Sequence, residues 1–479
     1  MDDELDRIAS LASNNPAMTA PASSFLPPPP DHLLNRQRSS NATDAASQDQ
    51  IVSSTIANGT AKVTSYRSIS KYDKGWRRVV RHFSPSWFSV TMGTGVVSLL
   101  LIKIPFQADW LYWLSVMFFV LNLIIFSLAA ITSIIRYTVY PEIWNVMIHD
   151  PNNSLFLGTI PMGFATLISS LIFLCVPYWG PWATYLAWGL WMLDSIASIA
   201  VTVSLSFILI SQTHLQSLDR ITAAQLLPIA ATIVASGTGA GVSHALLNHA
   251  HQPRYALATT IASYIMWGMS TPFALVTLVI YYQRLAVHKL PPREIIVSSF
   301  LPLGPLGMGG YTITYLGSTA RHILPHVPPF LTHVTTASDI IYILGIFTAL
   351  IMWSFGIVWF VYALAAIYSC GSFPFNMGWW GFTFPLGVFA ISTIQLGIEF
   401  PSLFFRVLGT VFSVMVIMLW VVVFSGTVRG AWRGHLFYAP CLKNLPREAR
   451  RGACVKRDSV EKEEVREKTK NEGDLEKGI

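Results

Sequence analysis

Gly378 to Phe400 reads GWWGFTFPLGVFAISTIQLGIEF. The run is apolar and long enough to cross a bilayer, whose hydrocarbon core of roughly 30 Å takes about 20 helical residues. Pro385 lies inside it, with Gly381 and Gly387 on either side. A proline removes one backbone donor and crowds the preceding turn, so a break in the helix is expected here. An unmet carbonyl costs several kcal/mol in lipid, which confines such a break to protein cover or a water-filled path. Phe384 sits on the expected break. Two readings stay open for it: an aromatic plug projecting into a pore, or a packing side chain beside a tolerated proline.

The rest of the chain has the same character. Of its 479 residues 52% are hydrophobic and 12% charged, against about 25% charged in a soluble domain. The fold class is an all-α, multi-pass membrane protein. Ten apolar windows of spanning length run approximately 86–104, 110–135, 154–176, 182–210, 222–247, 256–283, 294–319, 335–368, 379–400 and 404–428. An even number returns both termini to one side. The basic block Lys74, Arg77, Arg78 and Arg81 precedes the first window and assigns that side to the cytoplasm. The remaining connections agree: Arg136, Arg220, Arg284, Lys289, Arg293, Arg429 and Arg433 fall inside, and only Lys103, Arg254, Arg321 and Arg406 outside.

Residues 1–75 read as a disordered cytoplasmic tail, 76–435 as the transmembrane domain and 436–479 as a charged cytoplasmic tail. No cleavable signal peptide is expected, so the first span directs insertion. The acceptor-like Asn41, Asn58 and Asn152 all fall inside and are expected to carry no glycan. The net charge of +7 sits in tails and connections, which is not a nucleic-acid footprint. Four scattered cysteines without a CxxC give no disulfide framework, and no HExxH or GxSxG motif supports an enzyme. No cofactor or metal is expected.

Glycine and proline alternate across the spans. The first span carries Gly93, Thr94 and Gly95, the third Thr159, Pro161 and Gly163, and the fifth Pro228, Thr238 and Gly239. The seventh carries Pro305, Gly307 and Gly309, and the ninth Pro385 between its glycines. Even spans are sparser, apart from the sixth with Gly268 and Pro272. The alternation suggests five helical hairpins, each with a broken inner helix facing a central conduit and a smoother outer helix. Glycines that only permit close helix approach are the other reading. The odd spans lack interior acids and bases, which argues against a cation path. Exposed N-termini of broken helices would favour an anion, aided by the hydroxyls of Ser89, Thr91, Thr94, Thr159, Thr238 and Thr312. Basic inner connections would concentrate it at the cytoplasmic mouth.

Asp194, near the middle of the fourth span, is either a proton-coupling group or a structural carboxyl packed between helices. Asp339, Glu399, Arg321 and Arg406 fall at outer ends and are expected to form interfacial ion pairs. His244, His249, His251, His322, His326 and His333 crowd the outer side without zinc-ligand spacing.

FSPSWFSVTMGTG at Phe83–Gly95, SLFLGTIPMGFATL at Ser154–Leu167 and WWGFTFPLG at Trp379–Gly387 resemble the tellurite-resistance/dicarboxylate transporter family. That family includes bacterial tellurite-resistance proteins, plant slow anion channels, fungal malate permeases and fungal sulfite efflux pumps. The likeness covers about residues 80–435. It implies ten helices in a quasi-fivefold set of hairpins, odd helices around the pore, a homotrimer with one pore per subunit, and a ninth-helix phenylalanine that occludes it, here Phe384. The motifs look most similar to the sulfite efflux branch. A plasma-membrane exporter of sulfite or bisulfite is therefore expected, with a proton-coupled malate permease or a less selective anion channel as the alternative.

Overall fold

The computed structural model describes residues 75–150, 153–211, 218–327, 336–434 and 436–437. Apart from Gly75 and residues 436–437, both expected tails lie outside these, as do Asn41, Asn58, Asn152 and His333. Ten long helices dominate the described residues: α1 (Phe88–Lys103), α2 (Asp109–Val139), α3 (Thr159–Ser170), α4 (Pro181–Ser211), α5 (Leu226–Asn248), α6 (Pro253–His288), α7 (Leu303–Ile323), α8 (Ala337–Cys370), α9 (Trp380–Glu399) and α10 (Leu403–Trp432). Beyond Ser170, α3 continues through a π-helical turn, Leu171–Cys175, into Val176–Trp179.

Among the described residues nine helices are long and apolar enough to cross a membrane. The long helix outside that set is α7, whose glycines, threonines and C-terminal Arg321 and His322 make it less apolar. The seventh window also differs in its start. Arg293–Phe300 is a 3-10 stretch, and the α-helix begins only at Leu303.

Burial separates the helices into two sets. In the most apolar windows of α1, α3, α5 and α9, 83%, 72%, 100% and 89% of residues are buried, against 22%, 28%, 39%, 28% and 33% in α2, α4, α6, α8 and α10. A helix apolar on every side must be covered by protein or lipid on every side. The odd set is thus covered by protein, and the even set turns its large apolar side chains outward. α7 belongs with the buried set, since Leu303 to Leu316 is buried except Tyr315. Each buried helix packs on two others: α1 on α3, α3 on α5, α5 on α7, α7 on α9, and α9 back on α1. Each is also backed by the even helix that follows it in the chain.

The expected mid-membrane breaks are not there. Each buried helix is instead preceded by a 3-10 turn: Pro85–Trp87, Ser154–Gly158, Ala223–Gln225, Arg293–Phe300 and Met377–Trp379. Pro161, Pro228 and Pro305 fall in the first turn of α3, α5 and α7. There the backbone donors have no intrahelical acceptor, so a missing N–H costs nothing. Pro385 lies slightly deeper, and α9 still runs through it without interruption from Trp380 to Glu399. Only the bond to Gly381 O is lost. Proline in these spans marks where a helix begins.

Glycine marks close approach. A Cβ on Gly307 would meet the backbone of Phe389 in α9 at 2.7 Å, and one on Gly95 would meet Thr166 Cβ in α3 at 2.5 Å. Either contact is closer than real Cβ atoms come. The end at which α1 begins is called proximal here and the other distal. At the distal end Arg321 pairs with Asp339 at 2.8 Å, as expected. Glu399 instead accepts hydrogen bonds from Tyr342 and from Gln395 Nε2 at 2.7 Å, and Arg406 lies over the Phe106 ring.

Candidate functional site

Two cavities lie inside the set of buried helices. The proximal one, a vestibule of about 640 Å³, is lined at the starts of all five: Ser84, Ser86 and Ser89 before and in α1, Asn153 and Phe156 before α3, Thr222 and Leu226 at α5, Ser298 and Gly304 at α7, and Asn376, Gly381 and Pro385 at α9. Helix starts present free N–H groups and the positive end of the peptide dipoles. Gly381, whose carbonyl Pro385 cannot satisfy, belongs to the same lining.

The distal cavity is small, about 30 Å³, which holds one or two water-sized groups. Its lining is mostly apolar and includes the polar residues Thr166, Ser169, Thr238, Tyr311, Tyr315 and Lys103. Ser169 and Thr238 hydroxyls are 3.1 Å apart across α3 and α5.

Phe384 is the one residue common to the two linings. It is buried, with 4% of its surface exposed. Its neighbours on α9 are held by rings: Phe382 by Phe300, Phe373 and Trp379, and Phe389 by Trp353 and Phe412. Phe384 has no ring contact among the described residues.

The other residues singled out by sequence divide by location. Ser89 and Pro385 line the vestibule and Thr238 the distal cavity. Thr91, Gly93, Thr94, Gly95, Thr159, Pro161, Gly163, Gly239, Gly307, Gly309 and Thr312 line neither. Most of them serve helix contacts. Thr94 Oγ1 accepts from Trp420 Nε1 of α10 at 3.1 Å, and Thr159 Oγ1 donates to Pro85 O at 3.1 Å. Gly93 faces Trp380 and Thr383, Gly163 faces Thr91, Gly239 faces Trp191 and Ser263, and Gly309 faces Met352. Thr312 is buried against Gly237, its hydroxyl without a partner. Asp194 also lines neither cavity. It is 1% exposed, on the α4 face that carries Trp191, and neither carboxylate oxygen has a hydrogen-bond partner.

Among the described residues, no basic side chain lines the vestibule, where the sequence suggested a basic mouth; the charged ones are Asp150 and Glu294. Two arginines of that end hold carbonyls instead: Arg136 Nη1 donates to Phe83 O, and Arg284 Nη1 donates to Lys289 O at 2.6 Å. Lys103, by contrast, was assigned by sequence to an outer connection. It closes α1 and turns back into the distal cavity, because helical Cα–Cβ bonds tilt toward the N-terminus. A lysine at the end of a span reads as an interfacial residue, so nothing in the sequence distinguished it.

A family model described as voltage-dependent anion channel (SLAC1) matches residues 82–428, from before α1 to the last turn of α10. The chain belongs to that family. Family membership fits a structure in which neutral donors, helix starts and one cation face the two cavities. A sulfite efflux pump of Arthroderma otae is 48% identical over 366 residues, covering 76% of this chain and 93% of that protein. The sulfite efflux pump of Arthroderma benhamiae is 47% identical with the same coverage. A malic acid transport protein of Schizosaccharomyces pombe is more distant, 24% identical over 371 residues, or 75% of this chain and 81% of that protein. The chain is a multi-pass membrane protein of an anion-transport family.

Proposed function

We propose that this protein exports sulfite or bisulfite across the plasma membrane, through a conduit that runs from the vestibule past Phe384 to the distal cavity. The observation that carries the reading is the position of Phe384, in the linings of both cavities and without a ring neighbour to hold it. A side-chain rotation there would join the two spaces. The identity of 47–48% to sulfite efflux pumps, against 24% to a malic acid transport protein, supports sulfite as the solute. Transport needs no chemistry on the anion, so the protein works as a transporter and not as an enzyme.

In this reading α7 crosses as the seventh of ten spans, and the five hairpins adopt a quasi-fivefold layout. Both termini are cytoplasmic, since Arg77, Arg78, Arg81, Arg136, Arg284, Arg293 and Arg429 lie at the proximal end and Lys103, Arg254, Arg321 and Arg406 at the distal end. The vestibule then faces the cytoplasm, and the interior-negative potential drives an anion outward. Residues 76–435 form the transporting domain, flanked by cytoplasmic tails, and the protein assembles as a homotrimer with one conduit per subunit.

Malate uptake is the second reading, favoured by one observation. Lys103 supplies the fixed cation that a second carboxylate would need. Purified protein in liposomes, loaded in turn with sulfite, malate and chloride under an imposed potential, separates the two. Sulfite flux with charge movement supports export. Malate preference, or flux only with a proton gradient, would replace it by the permease reading.

A further inference from the structure

The distal cavity holds a cation in an unusual setting. Lysines that end a membrane span ordinarily extend outward to water along their flexible stems. Lys103 does the opposite. Its Nζ donates to Tyr311 Oη at 3.1 Å and lies 4.2 Å from the Phe173 ring centroid, 5.0 Å from that of Tyr311 and 5.4 Å from that of Tyr315. Three aromatic faces and one phenol stabilise an ammonium without neutralising it. No carboxylate pairs with it among the described residues, and none lines the cavity.

We propose that Lys103, with the hydroxyls of Tyr311 and Tyr315, forms a distal oxyanion-binding site that sets which anions the protein carries. This rests on the transport reading for its route and deepens it by assigning the residue that recognises the anion. The ammonium has three N–H donors, and the hydrogen bond to Tyr311 engages one of them. Two remain for an incoming oxyanion. Tyr311 and Tyr315 add neutral O–H donors, and Ser169 and Thr238 belong to the same lining. Phe384 lies between the site and the vestibule, and Val388 and Ile391 follow it along α9 in the same lining. Low dielectric on that side strengthens the charge–charge contact relative to water. The cavity has room for one or two water-sized groups, so a four-heavy-atom oxyanion enters fully only when Phe384 turns aside. Occupancy of the site and opening of the gate are therefore coupled. Elsewhere among the described residues, the lining of the path supplies partial positive charges at the helix starts of the vestibule, beside Asp150 and Glu294.

The test uses the full chain in liposomes, with saturation curves for sulfite and for nitrate under a fixed potential, and compares wild type with Lys103→Met, Lys103→Arg and Tyr311→Phe. Lys103→Met is expected to raise the half-saturating anion concentration about tenfold or more, the size of a lost hydrogen bond to a charged group. Lys103→Arg keeps the charge and should restore most of the affinity. Tyr311→Phe frees one ammonium donor and should shift affinity by less than Lys103→Met. Sulfite-dependent protection against thermal unfolding in detergent gives a readout without transport, and is expected to weaken in Lys103→Met. Half-saturation within about twofold of wild type in Lys103→Met, with lowered maximal flux, would overturn the site and leave Lys103 a packing residue. If Lys103→Met does not fold, an arginine variant whose sulfite half-saturation and sulfite-to-nitrate preference both equal wild type, together with unchanged Tyr311→Phe, overturns it equally. Wild type that carries nitrate but not sulfite would refute the sulfite reading, while a Lys103→Met shift for nitrate would still sustain the site.

Discussion

Phe382 and Phe384 stand two positions apart on α9, yet rings hold the first and none holds the second. That difference supports the proposed plug role of Phe384 over the packing role that the sequence left open beside it. Phe384→Ala is expected to raise anion flux at least about tenfold, equivalent to removing about 1.4 kcal/mol of barrier, measured as potential-driven flux in liposomes. Asp194 offers the opposite case. Because it lines neither cavity, Asp194→Asn should leave both flux and its pH dependence unchanged, and a lost pH dependence would make it the coupling group. The sequence pointed to Phe384 because a proline and two glycines flank an aromatic in a spanning run. It gave no sign of Lys103, since the direction in which a terminal lysine folds depends on Phe173, Tyr311 and Tyr315, remote in sequence.

Elements show where a correct pattern carried the wrong cause. The alternation of Gly and Pro does distinguish buried from lipid-facing helices, but proline lies at helix starts and not at breaks. From sequence alone a proline near the start of an apolar run looks the same as one within it, because helix boundaries are blurred by several residues. Pro228→Ala should therefore leave thermal stability in detergent nearly unchanged. Gly307→Ala should not. Its Cβ would press on the Phe389 backbone at 2.7 Å and separate α7 from α9, a cost of about 1–3 kcal/mol visible as a lowered midpoint in thermal unfolding. An unchanged midpoint would mean that the two helices are looser than described.

For the whole molecule, the all-helical membrane class and the inner and outer sets were legible from hydropathy and the Gly and Pro spacing, and nine of the described helices are long and apolar enough to span. The charge reading was legible only in part. Arginines do gather at the proximal end, as topology requires, but Arg136 and Arg284 are engaged in holding backbone carbonyls, so their charge does not line the vestibule. Side-chain direction, which the sequence does not encode locally, made the difference. In the proposed route, helix starts, whose partial charges come from the fold, would stand in for those arginines. The proposed homotrimer predicts a protein mass near three times that of one chain by light scattering in detergent, and a monomer mass would contradict it. The central claim is export of sulfite through a conduit that Phe384 closes, and its most direct test is potential-driven sulfite flux from liposomes holding wild type or Phe384→Ala. Wild type should carry sulfite and the variant about tenfold more or higher; a correctly folded variant with unchanged flux, or wild type that carries no sulfite, would rule this conduit out.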